Sequence, residues 1–203
     1  MTSPQTLTLI LAATPSLGIG RAGTLPWPQL KKEMAYFARV TKRVSNPSKR
    51  NAVLMGRKTW DSIPARLRPL KDRLNVVVTR DAEAFAQRCR GEQGGEAPVV
   101  ASGLLDALAR IARLRGELER VFVIGGASVY TAALELPQTR FVLLTKMRDE
   151  FECDTYFSVD LEESEVWRRV GREEAEKFTG EEMGGLVEEK GVGFEFCLFE
   201  RRE

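Results

Sequence analysis

Histidine is absent from this chain of 203 residues. No Ser-His-Asp or Cys-His couple can therefore exist, and no zinc site with imidazole ligands. Proton transfer falls to a carboxylate, tyrosine, lysine, cysteine or water, and chemistry carried by a cofactor gains weight. Cysteine is scarce. Cys89, Cys153 and Cys197 are odd in number and lack metal-ligand spacing, as in a reduced, cytoplasmic chain without a metal. Long apolar runs are missing. The run Leu7–Ala13 has no lysine or arginine before it and is too short to cross a bilayer, so it reads as a buried strand and not as a signal peptide. A large charge excess is missing as well. At a net charge of +2, neither nucleic acid nor a membrane is an expected partner.

What is present is an ordinary globular composition, 43% hydrophobic and 30% charged. The length suits one domain spanning residues 1–203. Apolar, β-rich runs at Leu7–Ala13, Ala52–Met55, Leu74–Thr79, Val99–Ala101, Val121–Ile124 and Phe141–Thr145 predict strands buried on both faces. Helical patterns intervene at Leu30–Val44, around Thr59–Ile63, at Leu104–Arg115 and at Ala127–Leu134. This alternation predicts a three-layer α/β fold: a mainly parallel sheet with helices on both faces. Phe194–Leu198 alternates in period two with no helix after it, which predicts an antiparallel C-terminal edge strand. Residues 171–193 read as a solvated excursion with a short helix. Cys89–Pro98 and Ser45–Lys49 read as surface loops.

Five segments offer chemistry, each with a plainer alternative. Leu17–Trp27 carries Gly18, Gly20 and Gly23 straight after the first strand; it is an ordinary glycine-rich connection or a loop lying over a ligand. Glu33 falls on the border of the apolar stripe Leu30, Met34, Phe37 and Thr41, roughly 70° from its centre. A carboxylate there either pairs with a nearby cation or accepts two parallel hydrogen bonds from an amidine-like ligand. In Met55–Pro64 a strand ends at Gly56, and Arg57 and Lys58 open a helix: a basic turn or a phosphate site. Val76–Arg80 ends in Thr79 and Arg80, a pair suited to a phosphate monoester. Val123–Tyr130 runs through Gly125 and Gly126 into a helix. It is not the G-x-G-x-x-G fingerprint, but it offers close backbone approach and helix N–H donors to a pyrophosphate.

In order and spacing these segments resemble dihydrofolate reductase of the eukaryotic, fungal kind. The carriers are Gly18-Ile19-Gly20, Leu25-Pro26-Trp27, Glu33 with Tyr36-Phe37, Met55–Trp60 with Ser62-Ile63-Pro64, and Arg68–Lys71 with Arg73. Gly125-Gly126, Val129-Tyr130, Thr145 and Asp154-Thr155 complete them. The resemblance implies an eight-stranded sheet, a monomer, and reduction of dihydrofolate by NADPH: hydride to pterin C6 and a proton to N5. It implies catalytic roles for Glu33, Trp27, Thr145 and Tyr130, with Trp27 holding a water. It implies substrate or antifolate contacts from Ile10, Leu11, Met34, Phe37, Ile63, Leu70, Arg73 and Ile124, with Arg73 gripping the glutamate α-carboxylate. Toward NADPH it implies Ala12, Ile19, Gly23, Arg57, Lys58, Thr59, Ser62, Val78, Thr79, Arg80 and Ser102. The run Gly125, Gly126, Ala127, Ser128 and Val129 joins them, with a cis peptide at Gly125–Gly126. Met34, Thr24 and Ser102 depart from common family residues. A pyrimidine reductase of riboflavin synthesis and a non-catalytic nucleotide- or pterin-binding module are the rival readings; the Leu-Pro-Trp run with Glu33, Thr145 and Arg73 disfavours both.

Overall fold

The computed structural model describes residues 5–90 and 96–203. The chain opens with β1 (Leu7–Ala13), β2 (Gly18–Gly20), α1 (Lys31–Lys42), β3 (Arg50–Gly56) and α2 (Arg57–Ser62). A 3-10 turn at Ala65–Leu67 leads into β4 (Arg73–Val78), α3 (Ala82–Arg90), β5 (Val99–Ala101), α4 (Leu104–Arg113) and β6 (Leu118–Val123). Then come α5 (Ala127–Leu134), β7 (Thr139–Met147), β8 (Thr155–Tyr156), β9 (Trp167–Arg169), α6 (Arg172–Thr179), β10 (Val187–Glu189) and β11 (Val192–Arg201).

The main sheet runs β10-β11-β7-β1-β6-β3-β4-β5, with β9 also pairing with β11. Pairs from β7 through β5 are parallel, and β11 is antiparallel to β7. The expected α/β fold with an antiparallel C-terminal end is present. Beyond that expectation, β11 is covered on its outer side by β9 and the β10 hairpin. Strand β1 shows why the sequence reads as continuously apolar. Leu7, Leu9, Leu11 and Ala13 join one core with Ala107 and Ile111 of α4 and with Ala133 and Leu134 of α5. Ile10, between them, joins a second core with Tyr36 and Val40 of α1 and Phe85 of α3. Side chains alternate across a strand, so a sheet covered on both faces needs apolar residues at every position.

Three sequence expectations change. The first is the packing face of α1. Tyr36, Val40 and Thr41 are buried, with Tyr36 stacked on Phe196 at 3.8 Å between ring centres, whereas Met34 is 39% exposed. Part of the stripe that looks like core is thus open to solvent. Secondly, Ala82–Arg90 is a helix, α3, anchored by buried Phe85 and Cys89. The expected loop at Cys89–Pro98 therefore begins as helix, and its residues 91–95 lie outside the described residues. Thirdly, residues 171–193 are more than a solvated excursion. Ala175, Met183 and Val192 are buried in the α1-side core, and the Tyr36 hydroxyl approaches Met183 Sδ at 3.6 Å.

Candidate active site

A parallel sheet opens where neighbouring strands stop pairing, and here β1 and β6 part. They are in register only from Leu7–Val121 to Leu9–Val123. Beyond that point β1 continues against β7 alone, as far as Ala13 opposite Lys146. The released carbonyl of Ile10 accepts instead from the Tyr130 hydroxyl at 2.8 Å, and Ile124 N–H turns to Leu54 O at 2.9 Å. A cleft at the carboxyl ends of strands follows, the usual ligand position in such sheets. Ala12, Phe37, Ile63, Leu70 and Ile124 are the partly buried rim of the α1-side core; Ile19 and Val78 belong to the rim of the other. Leu11 packs with the α4–α5 core, on the opposite face from Ile10.

Glu33 stands in the first turn of α1, and the Thr145 hydroxyl of β7 donates to its Oε1 at 3.4 Å, a long bond. Among the described residues no cation pairs with it, which removes the plainer alternative of a boundary ion pair. Burial pushes its carboxyl up to about 7, against the lowering effect of Thr145. Trp27 is buried, edge-on to Phe151 at 5.9 Å, and its indole N–H has no acceptor among the described residues. Tyr130 is buried too, and desolvation raises its phenol well above the usual range, so it stays a neutral donor. At the far end, Arg73 Nη1 donates to Thr41 Oγ1 at 2.8 Å and its Nε to Lys71 O at 3.0 Å. Burial brings its guanidinium down to about 10, so at neutral pH it remains a cation. Its Nη2 has no protein acceptor among the described residues.

The glycine-rich loop is pinned from behind. Strand β2 pairs with β8, Asp154 N–H donates to Gly20 O at 3.0 Å, and Asp154 Oδ2 accepts from Ala22 N–H at 2.7 Å. Gly18 is required there: a Cβ on it would lie 2.4 Å from Cys153 Sγ. Gly23, at φ +77°, turns in the left-handed region that favours glycine.

Opposite, the Gly125–Gly126 peptide is cis, as the resemblance implies. Gly56 N–H donates to Gly125 O at 2.8 Å, which ties the start of α2 to the start of α5. A Cβ at Gly125 or Gly126 would meet Thr59 Oγ1 at 3.4 Å, and one at Gly56 would meet Val129 at 3.3 Å. No side chain caps α5, which begins Ala127-Ser128. A bare backbone ridge beside uncapped helical N–H groups fits a pyrophosphate-bearing dinucleotide such as NADPH. The side chains expected beside it are less organised. Lys58 and Arg80 are exposed and make no ion pair among the described residues. Arg57 donates to Asp61 at 3.0 Å, Ser62 to Thr59 O at 2.7 Å, and Ser102 bonds Asp106 through both N–H and hydroxyl. Thr79 is buried at the end of β4.

Sequence reasoning missed several neighbours. Asp61 takes Arg88 at 2.6 Å, besides Arg57, with Arg68 at 3.8 Å. Phe151 backs Trp27, and Cys153 backs the glycine-rich loop at Gly18. No local pattern marks any of them; each acts through a contact distant in sequence, apart from the i,i+4 pair Arg57–Asp61.

The profile of the family described as dihydrofolate reductase matches residues 6–184. The chain is 46% identical over 151 residues to the dihydrofolate reductase of Heliothis virescens, covering 74% of this chain and 78% of that one. It is 38% identical to that of Pneumocystis carinii, over 99% of both, and 37% identical to that of Rattus norvegicus, over 97% and 98%. The solved Schistosoma mansoni dihydrofolate reductase superposes with a TM-score of 0.76 at 31% identity, over 98% of this chain and 100% of that one. The chain thus belongs to the dihydrofolate reductase family and is an NADPH-dependent dihydrofolate reductase.

Proposed function

We propose that the cleft reduces 7,8-dihydrofolate to 5,6,7,8-tetrahydrofolate with Glu33 as the pterin anchor and Arg73 as the tail anchor. The observation that carries this reading is a desolvated carboxyl that, among the described residues, has no counter-cation and is hydrogen-bonded to Thr145 alone. Such a group calls for a ligand with N–H donors, and the 2-amino and ring N–H groups of a pterin supply two in parallel. Thr145 supports the same carboxylate. Ile10, Met34, Phe37, Ile63, Leu70 and Ile124 enclose the pterin and p-aminobenzoyl groups, and Arg73 Nη2 meets the glutamate α-carboxylate; Leu11, whose side chain lies on the opposite face of the sheet, offers its backbone alone.

Bound NADPH supplies the hydride that pterin C6 receives. The chain's own residues position and protonate. Gly125, Gly126, Ala127, Ser128 and Val129 hold the pyrophosphate and nicotinamide side, with Ala12, Ile19 and Gly23 across from them. Thr59, Ser62, Val78, Thr79 and Ser102 line the adenosine, and Arg57, Lys58 and Arg80 its phosphates. Trp27 directs its unaccepted indole N–H at a water, and Glu33, half-protonated near neutrality, passes a proton through it toward N5. Tyr130, tied to Ile10 O, keeps the floor of the cleft fixed. Near-attack placement in a water-poor cleft supplies much of the rate. The protein acts as a single-domain cytoplasmic monomer, open to antifolates with a protonated diaminopyrimidine ring. Met34 in the pocket wall supports the fungal kind, although fungal and animal relatives match alike.

The test is oxidation of NADPH with dihydrofolate, repeated with NADH and with the pyrimidine precursor of riboflavin. Turnover confined to dihydrofolate with NADPH is the expected result; turnover of the riboflavin precursor would assign the cleft elsewhere.

A further inference from the structure

Helix α1 has no capping side chain of its own: its N-cap is Leu30. The first N–H groups of a helix need acceptors from elsewhere. They find them in the hairpin between β10 and β11, more than 150 residues away. Glu189 Oε1 accepts from Lys31 N–H and Oε2 from Lys32 N–H, both at 2.8 Å. Two flanking bonds close the clasp: Lys32 Nζ donates to Glu188 O at 3.1 Å, and Lys190 Nζ to Gln29 O at 2.8 Å. The next residue along α1 is Glu33. Its carboxyl touches Thr145 of β7, and β7 pairs with β11, the other arm of the same hairpin. The links form a closed frame: hairpin, α1, Glu33, Thr145, β7, β11 and back to the hairpin.

We infer that Glu189 is a positioning residue for Glu33, fixing the first turn of α1 so that Glu33 stays opposite Thr145. This rests on the reading of Glu33 as the pterin-binding carboxylate. Two consequences follow. Mechanically, loss of the clasp lets the first turn of α1 fray, and Glu33 drifts from Thr145. Electrostatically, a negative charge on the amides of residues 31 and 32 offsets the positive end of the helix, which otherwise favours an ionised Glu33. Amide donors from Lys32 and Lys31 hold Glu189 below the usual carboxylate range, so it is charged at neutral pH. The groups that act on the Glu33 carboxyl are Thr145 of β7, Tyr36 on its own helix and Tyr130 of α5, while Lys31 and Lys32 and, from the hairpin, Glu188, Glu189 and Lys190 meet at the start of α1 just before it. Glu189 is the one among them whose carboxylate lies on the helix N-terminus.

The experiment uses the full chain with Glu189→Gln, which keeps one acceptor and loses the charge, and Glu189→Asp, which keeps the charge. The Glu33 carboxyl is titrated by 13C NMR, its signal assigned by its loss in Glu33→Gln. In parallel, kcat/KM for dihydrofolate is followed against pH. Glu189→Gln is expected to lower the Glu33 midpoint by about half a pH unit. The descending alkaline limb of kcat/KM should move with it, and KM should rise about threefold. Glu189→Asp should return the midpoint toward that of the parent. An unmoved midpoint together with an unchanged KM in Glu189→Gln overturns the inference, whatever happens to the melting temperature. A midpoint that moves while the kinetic limb stays put upholds the hold on Glu33 and overturns the catalytic reading of Glu33 instead.

Discussion

At the α1 end of the cleft the polar groups are few, desolvated and fixed before any ligand arrives: Glu33 on Thr145, Arg73 on Thr41, Trp27 against Phe151. At the α2–α5 end the backbone is ordered but the side-chain cations are exposed, and Arg57 is engaged with Asp61. The first arrangement has met its desolvation cost during folding, so a ligand that satisfies it gains strongly and one that does not is rejected. The second must exchange an ion pair for a phosphate, which gives modest, salt-sensitive selectivity. On the proposed assignment, substrate identity is written in the core, and cofactor preference on the surface.

The sharpest way to break this contrast is Glu33→Ala. A buried charged contact is worth ~3–5 kcal/mol, so kcat/KM for dihydrofolate should fall by roughly two or more orders of magnitude. Normal turnover would end the reading. Next comes Arg73→Leu. Loss of a charge-assisted pair should raise KM about 10- to 100-fold for folates with a glutamate tail. Tail-less pterins should be unaffected, and an equal effect on both would show that Arg73 serves the fold alone.

A stability measurement probes the same buried end. Glu33 titrates at about 7 in the folded chain against 4.5 when unfolded. Its folded pKa is raised, so its contribution to stability is fully present below pH 4.5 and lost as pH rises through 7. Glu33→Gln should then stabilise the ligand-free protein by up to about 3 kcal/mol at pH 8, and hardly at all at pH 4, in urea unfolding. The smallest effect belongs to the other end. Asp61→Asn releases Arg57 and Arg88, and should lower KM for NADPH about threefold with a steeper salt dependence. A larger KM would mean that Asp61 orients Arg57 productively.

Much of the fold is legible in the sequence because buried strands cannot hide their composition: β1, β3, β4, β6 and β7 lie where their apolar runs lie. Helix α3 is not legible, since Phe85 and Cys89 are its only buried residues in nine. Strand β10, with the sequence Val-Glu-Glu, carries no strand signal and exists because Val192–Phe194 pairs with it. For the site, a helical wheel places Glu33 at a boundary, but only tertiary contacts reveal that no cation among the described residues pairs with it. Met34 shows the converse limit: an apolar side chain in a regular stripe faces either a core or a cleft, and periodicity cannot tell which. The cleft itself comes from the parting of β1 from β6 after Leu9, a register event with no local signature.

The pairing of β7 with β11 bears on how the enzyme is born. Thr145 leaves the ribosome some fifty residues before its neighbour Phe196. In that interval β7 is an unpaired sheet edge of exposed ladder groups, the kind that recruits other chains. Until β11 is made, that edge stays open to pairing with other chains, and a chaperone that shields Thr139–Met147 during that window would protect it.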